Sequence, residues 1–218
     1  IADNVSNPNK GVIQVTIGGN NVYENVEIDY RMSSLKAKDI LAILNGEKSE
    51  SLPTVIESTE NDNLFVFWSG HGVPGAMCWD EEPYAMTGDD LSTVFKDMNL
   101  KRRYRKLLMM VEACFSGGVM EQCEGIPGML FITAANGDET SKADVFNGEM
   151  KVWMSNRFTS TFIEQITDNK DVAMRDLYYR LFINTVGSHV MVYNAENYGN
   201  LYSANMSEFI NFKNDKSK

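Results

Sequence analysis

His71 and Cys114 are the residues best placed by type and context to do covalent chemistry. His71 lies in Ser69-Gly70-His71-Gly72, directly after the apolar run 64–68. Cys114 lies in Glu112-Ala113-Cys114-Phe115-Ser116-Gly117-Gly118, directly after the apolar run 107–111. A thiol and an imidazole brought together make a nucleophile and its proton-transfer partner. The tight turn after Cys114 leaves backbone N–H groups free. With the N–H of Gly72, those donors suit the oxyanion of a tetrahedral intermediate. A glycine beside the histidine also allows a substrate carbonyl to approach closely.

The remaining thiols and the second histidine lack that setting. Cys78 lies in Ala76-Met77-Cys78-Trp79 and reads as a packing residue, and Cys123 follows a turn. His189 lies in Gly187-Ser188-His189-Val190 at the start of an apolar run and reads as structural. Three cysteines leave at least one thiol unpaired within the chain. With no Cys-x-x-Cys and two distant histidines, no zinc site is expected, and no cofactor is implied.

These residues need a scaffold that places two loop ends side by side. The continuous apolar runs 64–68, 107–111 and 129–134 read as strands buried on both faces, the signature of a parallel sheet. A fourth strand is expected over 190–193. Helices are expected from Ser33 or Ser34 to about Leu44 with Gly46 at the end, from the cap Thr87 to Met98, over 154–166 and over 171–183. Near the start, 12–17 and 22–23 flank Gly18-Gly19-Asn20-Asn21 and read as a hairpin. The sum is an α/β fold with a mostly parallel central sheet. Sites in such sheets lie at the carboxyl ends of the strands, where His71, Cys114 and the segment 134–137 all fall.

Composition narrows the partners. The 218-residue chain carries a net charge of −10, which argues against nucleic acid. Its basic cluster, residues 101–106, reads as a solvated helix end before a strand. No run of 18 apolar residues occurs, so no membrane span is expected.

The blocks Phe65-Val66-Phe67-Trp68-Ser69-Gly70-His71-Gly72 and Val111-Glu112-Ala113-Cys114-Phe115-Ser116-Gly117 resemble the legumain-like asparaginyl endopeptidases, the C13 cysteine peptidases. So do Thr133-Ala134-Ala135-Asn136, Glu139-Thr140-Ser141 and Ser188-His189-Val190-Met191-Val192-Tyr193, and the resemblance spans about residues 1–195. It implies a caspase-like α/β/α sandwich and a peptide or protein substrate. It also implies Cys114 as nucleophile, His71 as general base and acid, and an oxyanion hole from the N–H groups of Gly72 and Cys114. Glu112, Ser141 and Thr140 would line the pocket for the residue before the scissile bond (P1).

Two departures accompany the resemblance. An acidic residue that precedes a tryptophan in the family is replaced here by Val152, before Trp153. The family's strand-helix-strand start has no counterpart, so the first strand or strands are expected to be missing. The expected organisation is a peptidase domain over 1–195 and a short tail over 196–218 packing on it. An N-terminal fragment of the same precursor is the expected partner, released by cleavage before Ile1, and the expected setting is extracytoplasmic or secreted. Competing functions are a transamidase or ligase using the same acyl-enzyme, a caspase-type protease with another P1 preference, and a catalytically idle binding module.

Overall fold

The computed structural model describes residues 7–14, 18–79 and 82–210. Its centre is a four-stranded sheet formed by β1 (Asn63–Ser69), β5 (Lys106–Glu112), β6 (Met129–Thr133) and β9 (Met191–Tyr193), side by side in that order. β1, β5 and β6 run parallel, and β9 closes the sheet antiparallel to β6. Between β1 and β5 lie a small antiparallel sheet of β2 (Gly72–Val73), β3 (Ala76–Trp79) and β4 (Glu82–Thr87), and then a helix. A third, two-stranded sheet pairs β7 (Ala143–Asn147) with β8 (Val152–Asn156).

Strand periodicity divides the core into two faces. Leu107, Met109 and Val111 point one way and Leu108 and Met110 the other, and all five are buried. The first face packs on α1 (Ala37–Asn45), α2 (Gly88–Leu100) and α3 (Ser116–Met120) through Leu44, Leu91, Phe95, Met98 and Val119. The second packs on α4 (Arg157–Asp168) and α5 (Met174–Asn184) through Phe158, Phe162, Leu177 and Leu181. The result is the α/β/α layering that the family resemblance implies, around the mostly parallel sheet expected from the apolar runs. β1 serves both faces: Leu64, Val66 and Trp68 pack with the first core, Phe65 and Phe67 with the second. Its residues are only partly buried, because β5 is its one neighbour among the described strands.

Local chemistry sets several boundaries differently from the sequence expectation. The α2 cap is as expected: Thr87 and Asp90 exchange side-chain-to-backbone hydrogen bonds. α1 starts at Ala37 instead of after Ser33 or Ser34. Ser34 Oγ donates to the Arg31 carbonyl inside a separate 3-10 turn, while Asp39 accepts from the Lys36 N–H at the true helix start. Gly46 ends α1 in the left-handed region, as its position suggests. α4 begins at Arg157 because 154–156 are drawn into β8, and α5 begins at Met174 because Ala173 bridges to Asn205. The expected N-terminal hairpin falls partly on 15–17, outside the described residues. Residues 12–14 and 18–23 form no strand. The Asn21 side chain takes the Ile13 and Tyr23 N–H groups and the Gly11 carbonyl, and among the described residues one backbone pairing joins the two segments, Val22 to Ile13. The basic cluster is solvated but paired: Lys101 with Asp97, Arg102 with Glu60, and Lys106 with Glu208 at 2.8 Å.

After β9 the chain turns through α6 (Ala195–Tyr198) and packs back on the second core through Tyr198, Ala204 and Met206. No helix of the described residues is long and apolar enough to cross a membrane.

Phe131, fully buried on β6, stacks on Phe95 of α2 with ring centroids 5.6 Å apart and joins the sheet to the first helical layer. Phe131→Ala is expected to cost about 3–5 kcal/mol, read as a lower midpoint in urea unfolding.

Candidate active site

Parallel pairing of β1 and β5 fixes the site. Ser69 sits opposite Glu112 in the ladder, and the Gly70 N–H continues it to the Glu112 carbonyl at 3.1 Å. The two chains therefore leave the sheet together, one toward His71 and the other toward Cys114. His71 is solvent-exposed, and its carbonyl accepts from the Cys78 N–H at 3.0 Å. That bond makes 71/78 a hydrogen-bonded pair of the β2–β3 ladder and 72/77 a non-bonded one. The Gly72 N–H consequently points away from β3.

Glycine is required at 72 because the backbones touch. A Cβ there would lie 2.1 Å from the Cys114 carbonyl oxygen. The sequence argument gave this glycine to an approaching substrate; the structure gives it first to the neighbouring strand end.

Cys114 is half-buried in the turn between β5 and α3. The next residue, Phe115, holds a left-handed conformation at φ 55°, a strain for a bulky side chain that its surroundings must maintain. Its N–H donates to the Glu139 carbonyl at 2.8 Å, and its own carbonyl accepts from Gly118. Gly117 and Gly118 let the turn pack on the loop 134–137: a Cβ at Gly117 would come within 2.5 Å of Tyr193 Oη and 2.8 Å of the Asn136 carbonyl carbon.

Two predicted pocket residues gather at this thiol. Ser141 Oγ lies 3.9 Å from Cys114 Sγ. Glu112, the last residue of β5, is 1% exposed. Its Oε2 accepts from Thr159 Oγ1 of α4 at 3.4 Å, and its buried Oε1 has no hydrogen-bond partner among the described residues. Burial pushes its carboxyl up to about 6, against the partial relief given by the Ser141 and Thr159 hydroxyls. Thr140 is exposed, and its hydroxyl accepts from Lys142 Nζ instead. Val152 and Trp153 lie on exposed β8, where Trp153 packs on Phe146.

The other thiols differ in kind. Cys123 is completely buried, which pushes its thiol up to about 12 and disfavours the thiolate. Cys78, partly buried on β3, is raised by burial and then by the charge of the nearby Cys114. None of the three is in a disulfide.

Residues 1–209 match the Peptidase C13 family. The chain belongs to that family. It is 28% identical to legumain of Rattus norvegicus over 200 residues, 88% of this chain and 45% of that protein. It is 30% identical to the hemoglobinase of Schistosoma mansoni over 224 residues, covering 96% of this chain and 48% of that protein. A vacuolar-processing enzyme of Vicia sativa is 35% identical over 147 residues, 65% of this chain and 29% of that protein. The C13 chain spans about half the length of the curated relatives it matches.

Two contributors escaped the sequence reading of this C13 site. Thr159 reaches Glu112 from 47 residues away, on a helix that sequence pattern alone does not orient toward β5. Glu139 was visible as part of a motif, but its contacts to Phe115 and His189 follow only from how the loop folds.

Burying Glu112 has a pH signature. A folded-state value of about 6 against an ordinary 4.5 means that its contribution to stability is present below pH 4.5 and lost as pH rises through 6. The loss amounts to about 2 kcal/mol. Urea unfolding at pH 4 and pH 7.5 is expected to show that fall in the wild type, and Glu112→Gln is expected to abolish this component.

Proposed function

We propose that this chain is the catalytic portion of a cysteine endopeptidase that cleaves after asparagine. The observation that carries the reading is the contact of two strand ends. Gly72, next to His71, lies against the Cys114 carbonyl, and a buried carboxylate with an unpartnered oxygen stands two residues before the thiol.

In this mechanism the Cys114 thiol gives its proton to His71, and Sγ attacks the peptide carbonyl carbon. The electron pair of the C=O moves to oxygen, and the N–H groups of Gly72 and Cys114 receive the oxyanion. His71 delivers a proton to the leaving amine as the C–N bond breaks, leaving a thioester on Cys114. His71 then takes a proton from water, the hydroxide oxygen bonds to the acyl carbon, and the C–S bond breaks as His71 returns that proton to Sγ. The products are a carboxylic acid and the regenerated thiol.

Specificity follows from an unmet hydrogen bond. A buried carboxylate oxygen without a donor is costly, and a substrate group that donates to it recovers that cost. The amide NH2 of a P1 asparagine is such a donor, with Glu112 and Ser141 as the pocket walls. Thr140, turned to Lys142, stands at its exposed side. When Glu112 takes up a proton near pH 6, it becomes a donor itself and accepts a P1 aspartate better. Val152 at the position of a family carboxylate leaves Glu112 as the acidic group of the pocket.

The same reading extends to organisation. Residues 1–195 act as one peptidase domain, with the following segment packed on the second core. The edge of β1 that pairs with no described strand, with its half-buried apolar residues, suits pairing with an N-terminal fragment of the same precursor. An extracytoplasmic compartment fits the acidic sequence and the name of the vacuolar-processing relative.

The test is a P1-varied fluorogenic peptide set, assayed with the complete precursor and its Cys114→Ala form. Cleavage after asparagine that Cys114→Ala abolishes is expected. Cleavage after another residue would overturn the pocket assignment, and cleavage that survives Cys114→Ala would overturn the nucleophile. Aspartate-to-asparagine cleavage ratios measured from pH 4.5 to 7.5 are expected to fall with a midpoint near 6. A ratio that does not change with pH would remove Glu112 from the pocket.

A further inference from the structure

We propose that Glu139 and His189 form a positioning pair that sets the P1 pocket against the nucleophile; the inference rests on the peptidase reading above. The carboxylate of Glu139 is the hub of the loop 134–141. Its Oε1 accepts from the His189 backbone N–H at 2.6 Å and from the Asn136 N–H at 3.2 Å. Its Oε2 meets His189 Nδ1 at 2.9 Å. The backbone carbonyl of the same residue holds the Phe115 N–H, one residue past the thiol. Two residues further on, Ser141 reaches Cys114.

Adjacent residues thus grip both ends of the loop. Ser188 Oγ donates to the Ala134 carbonyl at 2.7 Å, and His189 holds Glu139. Both precede β9, whose ladder with β6 makes this anchor part of the sheet. Burial alone would raise the Glu139 carboxyl. The His189 ring and the two backbone N–H groups outweigh that and hold it below its ordinary range. The His189 side chain is 70% exposed, so it contributes little to the core, while Glu139 is 22% exposed and directed inward. An exposed ring bonded to a sheltered carboxylate is poorly explained as packing and well explained as a strut.

The pair touches neither thiol nor substrate, so its effect is on geometry. Loosening the loop moves Ser141 away from Cys114 and weakens binding of the P1 side chain. Peptidase assays on the complete precursor after activation would compare His189→Ala, His189→Asn, Glu139→Ala and the double variant His189→Ala/Glu139→Ala. His189→Ala is expected to lower kcat/KM on the order of tenfold, mainly through KM, with melting temperature nearly unchanged. The Asn side chain carries an N–H close to the place of Nδ1, so His189→Asn is expected to recover most of the loss. The double variant is expected to be no worse than Glu139→Ala, because one interaction is removed twice. Wild-type kcat/KM in His189→Ala, failure of His189→Asn to rescue, or additive losses in the double variant would overturn the pairing. Absence of Cys114-dependent cleavage by the wild type would instead overturn the peptidase reading, and the positioning role with it.

Discussion

The parallel register between β1 and β5 is the constraint on which the site depends. Seven consecutive residue pairs fix Ser69 against Glu112, so the two chains leave the sheet at one level. Beyond that point backbone contact takes over from the ladder. Gly72 lies so close to the Cys114 carbonyl that a single added carbon would separate them. A slip of one residue would exchange the two core faces and carry His71 and Cys114 out of step. The burial of Leu107 to Val111 on both faces makes such a slip expensive. Hydrophobic packing far from the thiol therefore sets the geometry at the thiol.

The same sheet forces a charge problem at its end. Glu112 belongs to the last turn of a buried strand, and its side chain cannot reach bulk water. One oxygen is met by Thr159 and the other by no hydrogen-bond donor among the described residues. A fold selected only for stability would place an apolar residue here. On the function proposed above, retaining a carboxylate with an open hydrogen-bonding position trades folding free energy for recognition of a donor group. The proposed pocket accordingly draws on three elements. β5 supplies the acid, α4 the hydroxyl that partly satisfies it, and the loop after β6 the serine facing the thiol.

That loop is the least regular part of the site and the most heavily tied. Its carbonyls at Ala134 and Ala135 accept from Ser188 and from the Gly117 N–H, and Glu139 binds on both sides, to Phe115 and to His189. Backbone strain at Phe115 can persist because these bonds over-determine it. β9, antiparallel in an otherwise parallel sheet, brings the 188–189 anchor to the same edge as the loop. The small β2–β3–β4 sheet does the corresponding work on the histidine side, by engaging the His71 carbonyl and leaving the Gly72 N–H outward.

By itself the sequence determined the sheet and where the blocks around His71 and Cys114 fall along it. Apolar runs of four to six residues specify buried strands, and Thr87 and Gly46 act through bonds within one turn of their own helices. Such signals are local, and they identified all four central strands and the blocks around His71 and Cys114. Where side chains compete for the backbone, local pattern misled: Ser34 turned to Arg31 instead of capping α1, and Asn21 took backbone groups of Ile13, Tyr23 and Gly11 that a strand ladder would use. The two small antiparallel sheets were not foreseen, because their strands are short and their pairing is decided by what they cover. Only the tertiary structure decided that Thr159 meets Glu112, that Glu139 meets His189, and that Thr140 turns away to Lys142. The first two pairings join residues about fifty positions apart, and Thr140 follows the loop they hold. Sequence fixes which residues are available; the packing of helices and loops onto the sheet fixes which of them meet.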